Sequence, residues 1–178
     1  MANIKLANVR LSFPNLFQTS TFGGDDTGKY DATFLLDKKI HKKEIDEIQE
    51  EIDALTTAKF KGKALPEDKV CLKDGDATER EEQQGMMVIK ASSKRRPTVV
   101  DNNNPKPTPL VEEDNRIYAG CYVNAIISLW AQNNAFGKRI NASLEGVQYW
   151  RNGEPFGPPA ISADEFDAFG TSDEEIAF

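Results

Sequence analysis

The feature that most constrains the fold is a long alternation of apolar and polar residues over positions 117–132. Every odd position in this range is apolar, whereas the even positions include Gly120, Asn124 and Ser128. Because successive side chains of a β-strand point to opposite faces, this period of two predicts a strand with one buried face. A strand of this length, with one face in the core, favours a mainly β fold.

The first strand of the chain shows a change of apolar phase. Apolar residues alternate with polar ones up to Leu6, and the alternation resumes in the opposite phase at Val9, Leu11 and Phe13. Because a one-residue insertion shifts every following side chain to the other face, the pattern predicts a β-bulge near residues 7–8.

One helix and several further strands complete the predicted body. Asp37 is suited to cap a helix of about 20 residues, in which one apolar stripe consists of Ile40, Ile45, Ile48, Ile52 and Leu55. Gly146 marks a bulge, since the apolar phase of the last strand shifts across it. The predicted strands cover residues 3–13, 29–36, 86–91, 98–100, 117–132 and 140–150, and the predicted loops cover residues 59–84 and 101–109.

These elements predict one domain followed by a tail. Long bent strands with one intervening helix are typical of a small β-barrel, so residues 1–155 are predicted to form a mainly β, OB-like domain. A linker with three prolines then leads into a flexible, acidic C-terminal tail over residues 156–178. At 178 residues the chain has room for one substantial core.

The net charge of −7 is concentrated in the tail. Six of the 29 acidic residues lie in residues 161–178, which contain no Lys or Arg, so 23 acids and 22 bases remain in the body. A nearly neutral body has room for a basic groove if its acids cluster elsewhere, so the acidic composition does not exclude a nucleic-acid partner.

Several classes of protein and site are disfavoured by the sequence. No apolar run approaches the length of a membrane span, and the amino terminus lacks a secretory signal, so we expect a protein that stays in the cytoplasm. Cys71 and Cys121 have no paired cysteine motif and are predicted to be buried, reduced thiols. His41, among lysines, is predicted to be a solvated helix residue rather than a catalytic base.

Aromatic and basic residues on the exposed face of the long strand and its hairpin are candidates for nucleic-acid binding. Aromatic rings stack unpaired bases and nearby cations pair with phosphates, so the combination suits a single strand. Packing under the helix or against a partner in a homodimer is the alternative for the rings. The candidates are Tyr118, Tyr122, Trp130, Phe136, Lys138, Arg139, Trp150 and Arg151, together with the basic cluster Lys94, Arg95 and Arg96.

The tail ends in acidic residues followed by an apolar terminus. Such a peptide can dock a basic partner with an apolar pocket, or occupy the protein's own basic groove until nucleic acid displaces it. A merely solubilising tail is the alternative. Ser162 begins a predicted capping box for a short helix. The predicted partner-binding residues are Asp173, Glu174, Glu175, Ile176 and Phe178.

Three segments carry a resemblance to a known family. They are residues 6–17 (LANVRLSFPNLF), 28–34 (GKYDATF) and 137–149 (GKRINASLEGVQY). They resemble single-stranded-DNA-binding proteins of tailed phages that have an OB fold. The resemblance implies sequence-independent DNA binding during phage replication or recombination in the host cytoplasm, without cofactor, metal or catalysis. The acidic tip is similar to tips that dock replication and repair proteins.

Two other functions remain open from the sequence. The barrel and tail could recruit partners without binding DNA, as an adaptor. Alternatively, a carboxylate cluster could hold magnesium for a nuclease, since hard cations prefer carboxylate oxygens. That cluster consists of Asp74, Asp76, Glu79, Glu81 and Glu82.

Overall fold

A computed structural model describes residues 3–156, which form nine strands and one α-helix. Four short 3-10 turns lie in the connections, at Glu67–Lys69, Gly75–Ala77, Glu81–Gln83 and Glu112–Asp114. The elements are β1 (Asn3–Asn15), β2 (Thr21–Phe22), β3 (Asp25–Asp26), β4 (Tyr30–Asp37), α1 (Lys42–Phe60), β5 (Leu72–Asp74), β6 (Met86–Ser93), β7 (Thr98–Val100), β8 (Tyr122–Asn134) and β9 (Gly137–Arg151).

Five of the strands close into a barrel. Antiparallel pairs connect them in the order β6, β4, β1, β8 and β9, and a parallel pairing of Ala91 with Ala142 joins β6 back to β9. Because the barrel closes, each of the five strands is paired on both sides over at least part of its length. The helix lies between the second and third barrel strands in sequence, and it packs on β1, β4 and β8 through buried Ile48 and Ile52. The predicted fold class, a mainly β, OB-like barrel with one longer helix, is confirmed.

The alternation of β8 fills the barrel as the sequence predicts. Val123, Ala125, Ile127 and Leu129 are buried, and they pair with buried residues of β9. The strand nevertheless begins at Tyr122, five residues later than predicted. The reason is a break in the extended backbone just before it: Gly120 has a φ of +112° and packs against the carbonyl of Glu154.

Both predicted bulges are present. The β1–β8 register shifts between Leu6 and Val9, where Asn8 adopts a left-handed φ of +54°. In β9, Gly146 pairs with Ile126 and Leu144 with Ile127, so the residue between Leu144 and Gly146 is the extra one. These bulges bend the long strands sharply enough to close a small barrel.

The interpretation of His41 as a solvated residue is wrong. Its side chain is buried, with Nδ1 accepting from the backbone N–H of Asp37 at 2.9 Å. Nε2 lies 3.1 Å from the carbonyl oxygens of both Ala7 and Asn8 and therefore donates to them. Because the bulge in β1 takes these carbonyls out of the ladder, they need a donor from elsewhere, and His41 supplies it.

The start of the helix also differs from the prediction. Asp37 accepts hydrogen bonds from the backbone N–H groups of Lys39 and Ile40, which lowers its pKa, but the helix begins only at Lys42. Asp37 therefore caps the turn that precedes the helix. The placement of Ile40 on the apolar stripe of the helix is wrong, because this residue lies in that turn and is exposed.

The two long connections are organised by local hydrogen bonds. The segment predicted as a loop over residues 59–84 contains the last turn of α1, strand β5 and three 3-10 turns, so it is more regular than expected. The irregular conformation predicted for residues 101–109 is confirmed. There Asp101 accepts from the side chain and backbone of Thr108 and from the backbone of Asn103, and these bonds lower its pKa.

The two cysteines are free thiols. Cys121 is buried and Cys71 is half-buried, and burial raises the pKa of Cys71 to about 12. Burial also raises the pKa of Cys121, so both thiols are protonated at neutral pH. Within residues 3–156 no helix is long and apolar enough to cross a membrane.

Candidate nucleic-acid interface

A long groove crosses the outer face of β4 and β6. It consists of two cavities of about 540 and 490 Å³ that share Phe13, Thr33, Lys90 and Ser92. The remaining walls come from the end of β1, the β1–β4 loop, β5 with the segments on either side of it, and the start of β9. We call it the basic groove because six cationic side chains line it, namely Lys29, Lys69, Lys73, Arg80, Lys90 and Arg139.

The basic groove carries an excess of positive charge, although Lys69 and Arg80 each lie 3.7 Å from a carboxylate, of Asp68 and of Glu82. Among residues 3–156, only two acidic side chains line it, those of Asp31 and Asp68. Lys90 Nζ lies 3.9 Å from the Asp31 carboxylate, a long ion pair whose lysine is 66% exposed. Among residues 3–156, Lys29, Lys73 and Arg139 form no salt bridge, so their charges are available to a ligand.

Two loops flank the groove at its ends. The β1–β4 loop carries the small hairpin of β2 and β3, whose Phe22 is 84% exposed and lines the groove. The β8–β9 turn carries Phe136, which is 88% exposed, next to Lys138 and Arg139. In OB folds oligonucleotides cross the face of the second and third barrel strands between these two loops, and β4 and β6 are the equivalent strands here.

Seven of the predicted binding residues lie in or beside the basic groove. Arg139 lines it, and Trp130 pairs across β8 and β9 with Asn141, which also lines it. The other five are exposed residues near the ends of the groove. Phe136 lies in the β8–β9 turn and Lys138 at the start of β9. Lys94, Arg95 and Arg96 follow directly after β6, whose last residue pairs with Tyr30 next to Lys29.

The other four predicted residues lie elsewhere on the barrel. Tyr122 begins β8, about 26 Å of strand away from Trp130. The Arg151 guanidinium lies 3.8 Å from the centroid of the Tyr122 ring. Arg10 lies 5.8 Å from the same ring and 4.2 Å from that of Phe156. We call this set, Arg10, Tyr122, Arg151 and Phe156, the arginine ladder.

Both arginines of the arginine ladder donate hydrogen bonds within the fold. Arg10 donates to the carbonyls of Gly120 and Glu154, and Arg151 donates to the side chain of Asn8. The neighbouring Tyr118 precedes β8, and its hydroxyl exchanges hydrogen bonds with the backbone of Gly153. These contacts fix the end of β9 and the following residues against the barrel.

Trp150 lies on a separate, apolar groove of about 830 Å³. This groove runs over the outer faces of β1, β7, β8 and β9, and its exposed apolar side chains include Ile126. Asn102 donates to the carbonyl of Trp150 and ties the 101–109 segment to its rim. The binding residues predicted together from the sequence therefore lie on three separate surfaces: the basic groove, the region of the arginine ladder and the apolar groove.

Comparison with known proteins identifies the family. A family model described as the ssDNA-binding protein of Enterobacter phage Enc34 matches residues 2–177 of the chain. The chain belongs to this family of phage single-stranded-DNA-binding proteins. The resemblance stated from the sequence is confirmed, and this class of protein binds DNA and is not enzymatic.

Individual relatives agree with the Enc34 family assignment. The protein designated p50 of Acyrthosiphon pisum secondary endosymbiont phage 1 is 38% identical over 182 aligned positions, covering 97% of this chain and 96% of p50. The solved structure of the bacteriophage Enc34 protein in complex with ssDNA is 34% identical, with a TM-score of 0.76, and the match covers 87% of this chain and 89% of that one. Bacteriophage T7 gp2.5, at 13% identity and a TM-score of 0.55 over 91% of this chain and 98% of gp2.5, shares the fold.

Two of the carboxylates considered for a nuclease, Asp74 and Asp76, have a structural role in this member of the Enc34 family. Lys38 Nζ lies 2.7 Å from Asp74 Oδ1 and 2.6 Å from Asp76 Oδ2, and these hydrogen bonds lower the pKa of both carboxyls. Asp76 also accepts from the backbone of Gly85, and Glu82 pairs with Arg80 at 3.7 Å. The cluster therefore holds the connection between β5 and β6 to the end of β4.

Five of the six cations of the basic groove were not among the residues chosen from the sequence. Lys29, Lys69 and Arg80 lie in three different connections, whereas Lys73 lies in β5 and Lys90 in β6, so no local cluster marked them. The tail residues predicted to bind partners, and Ser162, lie outside the described residues 3–156.

Proposed function

We propose that the chain binds single-stranded DNA along the basic groove, without regard to base sequence, during phage replication or recombination. One observation carries this proposal. The six cationic side chains and the exposed rings of the flanking loops lie on the barrel face where OB folds bind oligonucleotides.

The chemistry of the groove accounts for the lack of sequence preference. Lysine and arginine side chains neutralise phosphates, which are the same for every nucleotide, and release condensed counterions. Phe22, Phe136 and Trp130 are all exposed, and aromatic rings stack any base at ~1–3 kcal/mol each. The predicted Lys94, Arg95 and Arg96 would extend the positive surface beyond the β1–β4 loop.

The experiment is a titration of fluorescently labelled oligo-dT at several salt concentrations. If all six cations contact phosphates, the logarithm of the association constant falls with the logarithm of salt at a slope of about −4. Absence of binding at low salt would instead favour the adaptor interpretation.

A charge variant locates the site. Changing Lys69, Lys73, Lys90 and Arg139 to Ala should weaken binding on the order of several hundred-fold at 0.1 M salt, because each lost phosphate contact costs about 0.7 logarithmic units there. The matched control changes four exposed lysines on and after α1, Lys42, Lys43, Lys59 and Lys63, which gives the same net charge. Equal losses in the two variants would show that overall charge, not the groove, governs binding.

We further propose that the acidic tail is a ligand for the groove and for other proteins. Its six acids are complementary to the positive groove, so it would compete with DNA and would also dock replication or recombination proteins through Asp173, Glu174, Glu175, Ile176 and Phe178.

In the full-length chain, changing the six acids to their amides should tighten oligo-dT binding several-fold at low salt, with less effect at high salt. Unchanged or weaker binding would contradict competition. Two further proposals come from the sequence: that the chain can form a homodimer, and that the OB-like domain ends at residue 155, after which the tail begins.

A further inference from the structure

Phe13 is the one large apolar residue of β1 whose position contradicts the strand pattern. Val9 and Leu11 are fully buried, and a regular strand would place Phe13 on the same inner face. Its side chain is instead 49% exposed. The reversal coincides with a second, unpredicted shift of the β1–β4 register between Ser12 and Asn15.

The backbone at this position is strained. Phe13 has a φ of +47°, in the left-handed region that residues with a Cβ rarely adopt. The structure thus loses the stabilisation of a buried ring and adopts an unfavourable backbone angle to turn that ring outward. Bulges that re-aim a side chain in this way occur preferentially next to functional sites.

The ring lies at the junction of the two cavities that form the basic groove. Phe13 lines both cavities of the groove, together with Thr33, Lys90 and Ser92. It also lines a third cavity of about 480 Å³ on the side of Pro14. A ligand that follows the groove from one flanking loop to the other therefore has to pass this ring.

A cation accompanies the ring. The guanidinium carbon of Arg80 lies 4.8 Å from the centroid of the Phe13 ring, within the range of a cation–π contact. This contact covers part of the ring and keeps a positive charge beside it, while half of the side chain remains accessible. A nucleotide offers a flat base for the ring and a phosphate for the guanidinium.

We propose that Phe13 is the central base-stacking residue of the basic groove, with Arg80 and Lys90 contacting the phosphates on either side of the stacked base. This inference rests on the proposed function. It adds an anchor that belongs to the barrel itself, whereas Phe22 and Phe136 belong to loops. DNA would therefore be held at the middle of its path by a residue that the sheet positions.

The test compares Phe13 variants with a charge variant in oligo-dT titrations. Phe13→Leu, which keeps an apolar side chain but not the ring, should raise Kd roughly tenfold, corresponding to ~1.4 kcal/mol. The salt slope should stay unchanged, because no charge is lost. Phe13→Tyr should remain within about twofold of the native protein. In contrast, Lys90→Ala should raise Kd and also reduce the slope by about 0.7.

The outcomes separate this inference from the proposed function. If Phe13→Leu binds as well as the native chain while Lys90→Ala weakens binding and flattens the salt dependence, the groove binds DNA but Phe13 does not stack. If neither variant changes Kd or slope, both proposals fail. Ultraviolet crosslinking of the native protein to oligo-dT, followed by peptide mass spectrometry, gives an independent measurement, and crosslinks that exclude the peptide containing Phe13 would overturn the stacking role.

Discussion

The arginine ladder and the basic groove both place aromatic rings beside cationic side chains, and both involve β8 or its hairpin with β9. In the ladder, Arg10 donates to two backbone carbonyls and contacts two rings. In the groove, Lys29, Lys73 and Arg139 have no salt bridge within residues 3–156. The same residue types therefore act within the fold in one region and remain available to a ligand in the other.

This difference shows what the residue types alone leave undecided. A guanidinium whose donors are satisfied by buried or half-buried carbonyls stabilises the chain, and removing it leaves those carbonyls without partners. A cation without a protein partner contributes little to stability but can exchange its counterions for a phosphate. We therefore expect ladder variants to change the free energy of unfolding and groove variants to change DNA affinity.

The largest effect on stability should come from replacing Gly120, which packs closely against the backbone of Glu154 beside the arginine ladder. A Cβ on Gly120 would overlap the carbonyl oxygen of Glu154, and its φ of +112° is itself unfavourable for alanine. Gly120→Ala should lower the free energy of unfolding by ~3 kcal/mol or more in urea denaturation.

Gly137 in the β8–β9 turn is the matched control. It has a nearly identical φ of +114°, but a Cβ there would meet no atom within 4 Å. Gly137→Ala should therefore show only the conformational cost, ~1–2 kcal/mol. Equal destabilisation by the two variants would mean that the close contact between Gly120 and the Glu154 carbonyl does not require glycine at position 120.

Smaller effects should distinguish one cation of the arginine ladder from one cation of the basic groove. Replacing the first should lower stability but not DNA affinity, and replacing the second should lower DNA affinity but not stability. Arg10→Ala removes contacts with two rings and two hydrogen bonds to carbonyls, so it should destabilise the fold by ~2 kcal/mol and leave Kd for oligo-dT within about twofold. Lys90→Ala should change stability by less than ~0.5 kcal/mol, because its ion pair is long and exposed. Weaker DNA binding by folded Arg10→Ala would extend the interface to the ladder.

Local sequence patterns were enough to predict the barrel but not the site. The alternation of β8, the bulges near Asn8 and at Gly146, and the single helix could be predicted because each depends on neighbouring residues. The groove depends on closure of the barrel, which brings Lys29, Lys73 and Arg139 together from distant segments. His41 was misjudged for the same reason, since its partners lie more than 30 residues away in β1.

The smallest effect should separate the strain at Phe13 from the function of its ring. Phe13→Ala and Phe13→Gly both remove the ring, but only glycine adopts a φ of +47° without cost. Phe13→Gly should therefore be more stable than Phe13→Ala by ~1 kcal/mol in urea denaturation. Both should bind oligo-dT with the same reduced affinity, because affinity depends on the ring and stability on the backbone. If the alanine variant were the more stable of the two, the backbone at this bulge would not be strained, and the outward turn of Phe13 would no longer indicate a function.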